Sequence, residues 1–137
     1  PDGSLQAVEY GIIQTPAGLP VHQRLSLLYN KLTQLILLHR PASCAVEKLF
    51  FQRNVSTAIA VGEARGVVLL AIAEADLDAF EYTPNEVKQA VAGYGSAGKR
   101  QVQEMVRTLL VLPEIPKPDD AADALAIAIT HLNTRRF

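Results

Sequence analysis

Cysteine and surplus charge are both scarce in this sequence, and each scarcity excludes a class of protein. Cys44 is the single cysteine among 137 residues, so the chain forms no internal disulfide. It lies in an apolar segment with no neighbour that would activate its thiol, which predicts a small buried side chain rather than a reactive one. The formal net charge is −1, which excludes a chain that binds polyanions through its overall charge.

Long apolar runs are also missing. No run reaches the roughly 18 residues that a membrane-spanning helix needs, and no charged-then-apolar leader opens the sequence. We therefore expect a cytoplasmic protein. Hydrophobic residues make up 49% of the chain, and this content at 137 residues predicts a single domain over 1–137 with a buried core.

Hydrophobic periodicity and turn residues predict strands that alternate with helices. Strands are expected over 5–14, 42–51 and 78–82, and helices over about 24–38, from a cap at Asn54 or Ser56 to 75, over 100–110 and over 120–133. Thr83-Pro84-Asn85-Glu86 has the capping-box pattern that begins another helix. Such alternation indicates an α/β fold whose sheet is covered by helices on both faces.

Three carboxylates stand in apolar segments, where a cation would explain them. Glu47 lies in a predicted buried strand, and Asp120 and Asp123 are three residues apart on one face of a predicted helix. Two ionised carboxylates about 4 Å apart repel by roughly 4 kcal/mol at an effective dielectric of about 20. A divalent metal reverses the sign of that interaction, so the three residues are candidate metal ligands.

Ordinary structural roles compete with the metal site. Asp119 and Asp120 follow Pro116-Lys117-Pro118, where acids cap the first backbone N–H groups of a helix. Glu47 could form an ion pair at a strand end. Capping explains Asp123 less well, because the Ala-Leu-Ala-Ile sequence that follows it predicts a helix packed nearly all round.

A weakly basic region follows the capping box. Residues 83–109 contain four basic and two acidic side chains, a pattern that also fits a solvated helix face. Within it, the glycine-rich loop 92–99 precedes a helix, a combination that suits a phosphate group. The loop is not a P-loop, because Arg100 stands where serine or threonine is required.

Several ordered motifs together resemble one family. They are Val46 to Asn54, Gly62-Glu63-Ala64-Arg65-Gly66, Val87-Lys88-Gln89, Gly93-Tyr94-Gly95-Ser96-Ala97 and Asp120 to Ala126. In this order they resemble RuvC, the bacterial Holliday junction resolvase, over essentially the whole chain. The resemblance implies a ribonuclease H-like mixed sheet and Mg²⁺-dependent cleavage of two opposing strands at a four-way DNA junction.

The resemblance also assigns roles to single residues. Glu47, Asp120 and Asp123 match catalytic, metal-binding acids of the family. Lys88 and Lys99 match lysines that handle DNA, and Phe50 matches an aromatic residue beside the junction bases, although an ordinary core role fits Phe50 equally well. We add Arg100, beside Lys99, to these candidate DNA-binding residues.

The implied cofactor is Mg²⁺, two ions per site, with Mn²⁺ as a possible substitute. The implied partners are the four-way junction, a second copy of the chain and the junction-migration helicase subunits. Two alternatives stay open from the sequence. One is a catalytically impaired module for junction binding or dimerisation, and the other is a ribonuclease H-like nuclease with a different substrate.

One departure from the family pattern motivates the first alternative. The family opens with a strand bearing Gly-Ile-Asp-Pro-Gly, whose aspartate is a further metal ligand, and a second strand follows it. The sequence printed here begins at Pro1, after the position of both strands. We therefore expect the chain as printed to be catalytically impaired, and a form with both strands to cleave junctions.

Overall fold

The computed structural model describes residues 4–48 and 55–135. Within these ranges the elements are, in chain order, α1 (Val21–His39), β1 (Cys44–Glu47), α2 (Val55–Glu74), β2 (Ala79–Tyr82), α3 (Pro84–Ala92), α4 (Lys99–Leu109) and α5 (Asp119–Thr134). The predicted order of these seven elements is confirmed, and their bounds agree with the sequence-based ranges to within a few residues.

The sheet in the described part of the chain consists of β1 and β2. The Cys44 amide donates to the Asp78 carbonyl at 3.0 Å, and four residues later the Lys48 amide donates to the Tyr82 carbonyl at 2.8 Å. Because the pairing advances in the same direction along both segments, the strands are parallel. Parallel neighbours need a crossover connection, which α2 provides.

Two compact units make up the described chain, the first formed by residues 4–12, 45–48 and 80–135. Its core lies where α3, α4 and α5 pack on the end of β2, and its buried apolar residues are Tyr82, Val87, Val91, Val106, Leu110, Ala126 and Ile129. Val106 is completely buried and Ile129 is 2% exposed. This unit holds all the described candidate site residues.

The second unit contains residues 13–44 and 55–79 and is organised by α1 packed on α2. The Tyr29 hydroxyl of α1 donates to the Glu74 carboxylate of α2. That hydrogen bond, more than burial, raises the pKa of the Tyr29 phenol. Whether the whole chain acts as one domain, as its length predicts, stays a prediction.

The capping box at α3 is confirmed. The Glu86 amide donates to Thr83 Oγ1 at 3.1 Å, and the Thr83 amide donates to Glu86 Oε1 at 2.9 Å. Pro84 occupies the first turn, where its missing N–H costs nothing. Gly93 ends the helix with φ +91°, a left-handed conformation that L side chains rarely adopt.

The strand predicted over 5–14 is wrong, since residues 4–16 contain no regular element. Strand structure needs hydrogen bonds to a neighbouring strand, and β1 and β2 bond to each other. The segment is instead held by side chains. Arg24 Nε donates to Thr15 Oγ1 at 3.0 Å, and Lys31 Nζ donates to the Gln14 carbonyl at 3.1 Å.

The prediction that the last helix packs nearly all round is also wrong. One face of α5 is buried, including Ala122, Ala126 and Ile129, but Asp123, Ala124 and Ala128 are exposed. Alanine adds to the apolar appearance of a sequence without requiring burial, because its side chain has little surface to protect. Separately, no helix among the described residues is long and apolar enough to cross a membrane.

Candidate functional site

Glu47 is the last residue of β1, at the point where the strand leaves the sheet. The adjacent Lys48 amide is held by the Tyr82 carbonyl at 2.8 Å, which fixes the end of the strand. The Glu47 side chain is accessible, so the full burial expected from its apolar neighbours is not observed. Partial burial raises the pKa of its carboxyl, and the negative charges of Asp123 and Asp120 raise it further.

Asp120 and Asp123 lie in the first turns of α5, on the accessible side of the helix. The alternation of exposed acid with buried Ala121 and Ala122 anchors this end of α5 while it keeps both carboxylates at the surface. Burial raises the pKa of Asp123, the positive charge of Lys99 lowers it, and Asp120 raises it again. The structure thus brings the charges of Glu47, Asp120 and Asp123 within electrostatic range of one another.

Simple helix capping does not explain these aspartates. The residue before the helix is Pro118, which makes no side-chain cap hydrogen bond, and Asp119 and Asp120 are the first two helical residues. Their charge favours the positive end of the helix dipole. The capping expectation is therefore wrong in detail, because Asp119 directs its carboxylate to a neighbouring helix instead of to its own backbone.

Lys99 and Gln103 are the α4 residues that Asp119 contacts. Lys99 Nζ lies 3.1 Å from Asp119 Oδ2, and Gln103 Nε2 donates to Asp119 Oδ1 at 3.1 Å. The bond from Asp119 is the largest influence that raises the pKa of Lys99, followed by the charges of Asp119, Asp123 and Asp120. The same lysine and Gln103 lower the pKa of Asp119.

Sequence reasoning missed the roles of Asp119 and Gln103. Asp119 was interpreted only as a helix-opening acid, and Gln103 was not singled out. The available signal was the four-residue spacing of Lys99 and Gln103, which places both on one face of a helix. That face reaches α5 only through the tertiary packing of the two helices, which no local pattern encodes.

The donor chemistry of the three acids fits a hard divalent cation. Mg²⁺ prefers carboxylate oxygens, and a cation would remove the repulsion that disfavours the charge of Glu47. Across residues 4–48 and 55–135, however, no three acid, histidine or cysteine side chains are gathered closely enough to hold a metal ion together. Glu47, Asp120 and Asp123 thus fit a metal by type and charge, and their role as ligands stays a prediction.

Access to this region is open. An open cavity at the start of α5 is lined by Lys117, Pro118, Asp119 and Asp120. Two opposite charges therefore border the surface directly before the two candidate catalytic aspartates. A substrate with a charged backbone could reach Asp120 from this side without displacing core residues.

The remaining candidate DNA-binding residues differ in their surroundings. Lys88 lies on α3 and is half-buried, whereas Arg100 is exposed and pairs with Glu104 at 3.4 Å on α4. Phe50 lies outside the described residues. The DNA-binding roles of Lys88, Lys99, Arg100 and Phe50 all stay predictions.

A buried hydrogen bond connects the sheet to α5. Tyr82 Oη and His131 Nδ1 are 2.7 Å apart, and both residues are 5% exposed. The His131 ring also packs on Phe80, with centroids 4.8 Å apart, and the Arg135 guanidinium lies 4.4 Å above the same Phe80 ring. These contacts fix α5, and with it Asp120 and Asp123, relative to the strand that pairs with β1.

Comparison with known proteins gives one consistent result. The family model described as crossover junction endodeoxyribonuclease RuvC matches residues 2–131. RuvC of Roseiflexus sp. (strain RS-1) is 58% identical over 130 residues, which cover 95% of this chain and 77% of that protein. RuvC of Brevibacillus brevis is 56% identical over 133 residues, covering 97% of this chain and 80% of that protein.

Solved structures agree with the sequence relatives. The structure of Thermus thermophilus RuvC in complex with Holliday junction substrate matches with a TM-score of 0.89 and 39% identity, covering 93% of this chain and 78% of that one. Another T. thermophilus RuvC structure matches with a TM-score of 0.86. These matches confirm the predicted α/β, ribonuclease H-like fold class.

Proposed function

The chain belongs to the RuvC family of crossover junction endodeoxyribonucleases, and from this premise we propose that it resolves four-way DNA junctions by paired phosphodiester hydrolysis. Its relatives are named as nucleases, and one similar structure holds a Holliday junction substrate. A catalytically impaired binding module is not favoured by these likenesses. A DNA substrate of this kind also suits a cytoplasmic location.

The observation that carries the proposal is electrostatic. Glu47 of β1 feels the charges of Asp123 and Asp120 of α5, although the residues are more than 70 positions apart in the sequence. Acids brought together at an accessible surface are costly unless they serve a cation or a proton transfer. We propose that these three residues are the catalytic acids and bind Mg²⁺.

We propose two Mg²⁺ ions, for which Mn²⁺ could substitute, with Glu47, Asp120 and Asp123 as ligands from this chain. Bound metal of this kind supplies an activated water and stabilises charge on the leaving oxygen. The chain's own residues hold the carboxylate oxygens at the sheet end and the start of α5, and keep them accessible to a DNA backbone. The packing of Ala122 and Ala126 in the core orients Asp123 outward.

The proposed DNA contacts lie on the elements around these acids. Lys99 and Arg100 begin α4 directly after the glycine-rich loop, and Lys88 lies on the preceding helix. Cationic side chains at this place would hold backbone phosphates, while the nearby acids act on the scissile bond. Phe50, three residues after Glu47 in the sequence, is proposed to contact junction bases.

A homodimer is the proposed assembly, because paired cleavage needs two sites. Gly62 and Gly66 of α2 border open space, where an added Cβ would meet nothing within 4 Å. Ile59 and Leu70 on the same helix are 58% and 51% exposed. Small residues among exposed apolar ones suit the close approach of a second copy. Helicase subunits are a further proposed partner, on the family resemblance alone.

Isosteric variants of the acids test the proposed roles. Glu47→Gln, Asp120→Asn and Asp123→Asn should each lower Mg²⁺-dependent junction cleavage at least a hundredfold, because each removes a ligand charge while it preserves shape. Junction binding in Ca²⁺ should persist, since the basic residues are unchanged. Glu114→Gln, an exposed acid between α4 and α5, is the matched control and should cleave normally. Full activity in any of the three acid variants would refute that residue's assignment.

A further inference from the structure

The contact between Lys99 and Asp119 joins the start of α4 to the start of α5. Each carboxylate oxygen of Asp119 has its own partner. Lys99 Nζ lies 3.1 Å from Oδ2, and Gln103 Nε2 donates to Oδ1 at 3.1 Å. Gln103 is only 8% exposed, whereas the side chains of Lys99 and Asp119 are 60% and 65% exposed. One end of this three-residue chain is therefore fixed in the protein, and the other end reaches solvent.

Such an arrangement contributes little to stability. Exposed ion pairs are screened by water and salt, and holding a lysine in one geometry costs side-chain entropy. Its effect is positional instead. A lysine has four rotatable bonds, and a carboxylate that is itself fixed by a buried amide restricts where the ammonium group lies.

The position so defined is beside the proposed reaction site. Asp119 directly precedes Asp120 in α5, so the ammonium group of Lys99 lies at the end of the helix that carries both proposed catalytic aspartates. Without Asp119, Lys99 would sample the solvent around the flexible loop before α4. A phosphate contact would then have to restrict the lysine when DNA binds.

We propose that Asp119 is a positioning residue, which acts through Lys99 and holds its ammonium group ready for a backbone phosphate of the DNA substrate. Asp119 itself touches neither DNA nor metal in this account. The inference rests on the proposed nuclease function and adds to it a residue outside the three catalytic acids. The opposite role, in which Asp119 competes with phosphate for Lys99, predicts an effect of opposite sign.

A double-mutant cycle measures the coupling directly. Junction affinity is measured in Ca²⁺ for the full encoded protein, for Lys99→Ala, for Asp119→Asn and for the double variant. The contribution of Lys99 is the affinity lost on Lys99→Ala. We expect this contribution to be about two- to fivefold smaller in the Asp119→Asn background than in the wild type, the range that an exposed ion pair supports.

The cycle cancels the general effect of removing a negative charge near DNA, because that effect is common to both backgrounds. Asp119→Glu restores the carboxylate and should recover part of the Lys99 contribution, whereas Glu114→Gln should leave it unchanged. The single-turnover cleavage rate in Mg²⁺ should show the same coupling. A purely structural role for Asp119 would instead lower the thermal midpoint and act equally with and without Lys99.

Each outcome decides a different question. An equal Lys99 contribution in both backgrounds would overturn the positioning role and leave the nuclease function intact. A larger contribution in the Asp119→Asn background would show that Asp119 competes with phosphate, which also overturns it. A wild-type protein that neither binds nor cleaves junctions would overturn the proposed function, and this inference with it.

Discussion

Removal of the Tyr82 hydroxyl tests how α5 is fixed to the sheet. In Tyr82→Phe the buried ring remains, but His131 Nδ1 loses the partner that lies 2.7 Å away. Both residues are 5% exposed, so water replaces the hydroxyl poorly. A buried polar atom that loses its hydrogen bond costs about 1–3 kcal/mol. We expect the free energy of unfolding to fall by that amount.

Urea unfolding followed by circular dichroism measures this change. At this chain length, each 1 kcal/mol lowers the thermal midpoint by roughly 3–5 °C, so a fall of about 3–15 °C should accompany the loss. The dependence on urea concentration should not change, because the same surface is exposed on unfolding. Tyr94→Phe is the matched control, since Tyr94 is 43% exposed, and it should stay within about 0.5 kcal/mol of the wild type.

A Tyr82→Phe variant as stable as the Tyr94→Phe control would refute the reasoning. It would mean that the bond between Tyr82 and His131 adds nothing to the packing of the Phe80 and His131 rings. The position of the aspartates would then depend on the apolar face of α5 alone, through residues such as Ile129.

Further predictions concern charge. Lys88→Ala and Lys99→Ala should weaken junction binding and reduce its salt dependence by about one counterion each, and unchanged slopes would place both lysines outside the DNA contact. Glu47→Gln should make the protein more stable at neutral pH, because burial and the nearby aspartates raise the pKa of Glu47 and so disfavour its charge; the difference should vanish in acid, where wild-type Glu47 is protonated. Burial and Arg135 lower the pKa of His131, so the unfolded chain takes up its proton more readily than the folded one. This contribution to stability is present above about pH 6.5, the ordinary histidine pKa, and should decrease below it; a His131→Phe variant should lack this histidine-dependent decrease.

Local signals predicted the elements of this fold well. The Thr83 and Glu86 capping box, the stop at Arg40 and Pro41, and the helical spacing of leucines in α1 depend only on neighbouring residues. The strand expected over 5–14 failed for the complementary reason. An alternating pattern shows that a segment can be extended, but pairing depends on a partner strand elsewhere in the chain.

The candidate site was predictable in its residue types but not in its geometry. Glu47, Asp120 and Asp123 stood out as acids among apolar residues, and their charges do influence one another. The contact from Lys99 to Asp119 was not predicted, because it depends on how α4 packs on α5. Sequence patterns place residues on helix faces, whereas tertiary packing decides which faces meet.

Cleavage of a synthetic four-way junction by the full encoded protein tests the central claim most directly. With strands labelled in turn and Mg²⁺ present, the account predicts paired nicks in two opposing strands, no cleavage in EDTA, and little cleavage of a linear duplex of the same sequence. Glu47→Gln should abolish both nicks while it preserves junction binding. Equal cleavage of junction and duplex, or junction cleavage that persists in EDTA, would contradict the account.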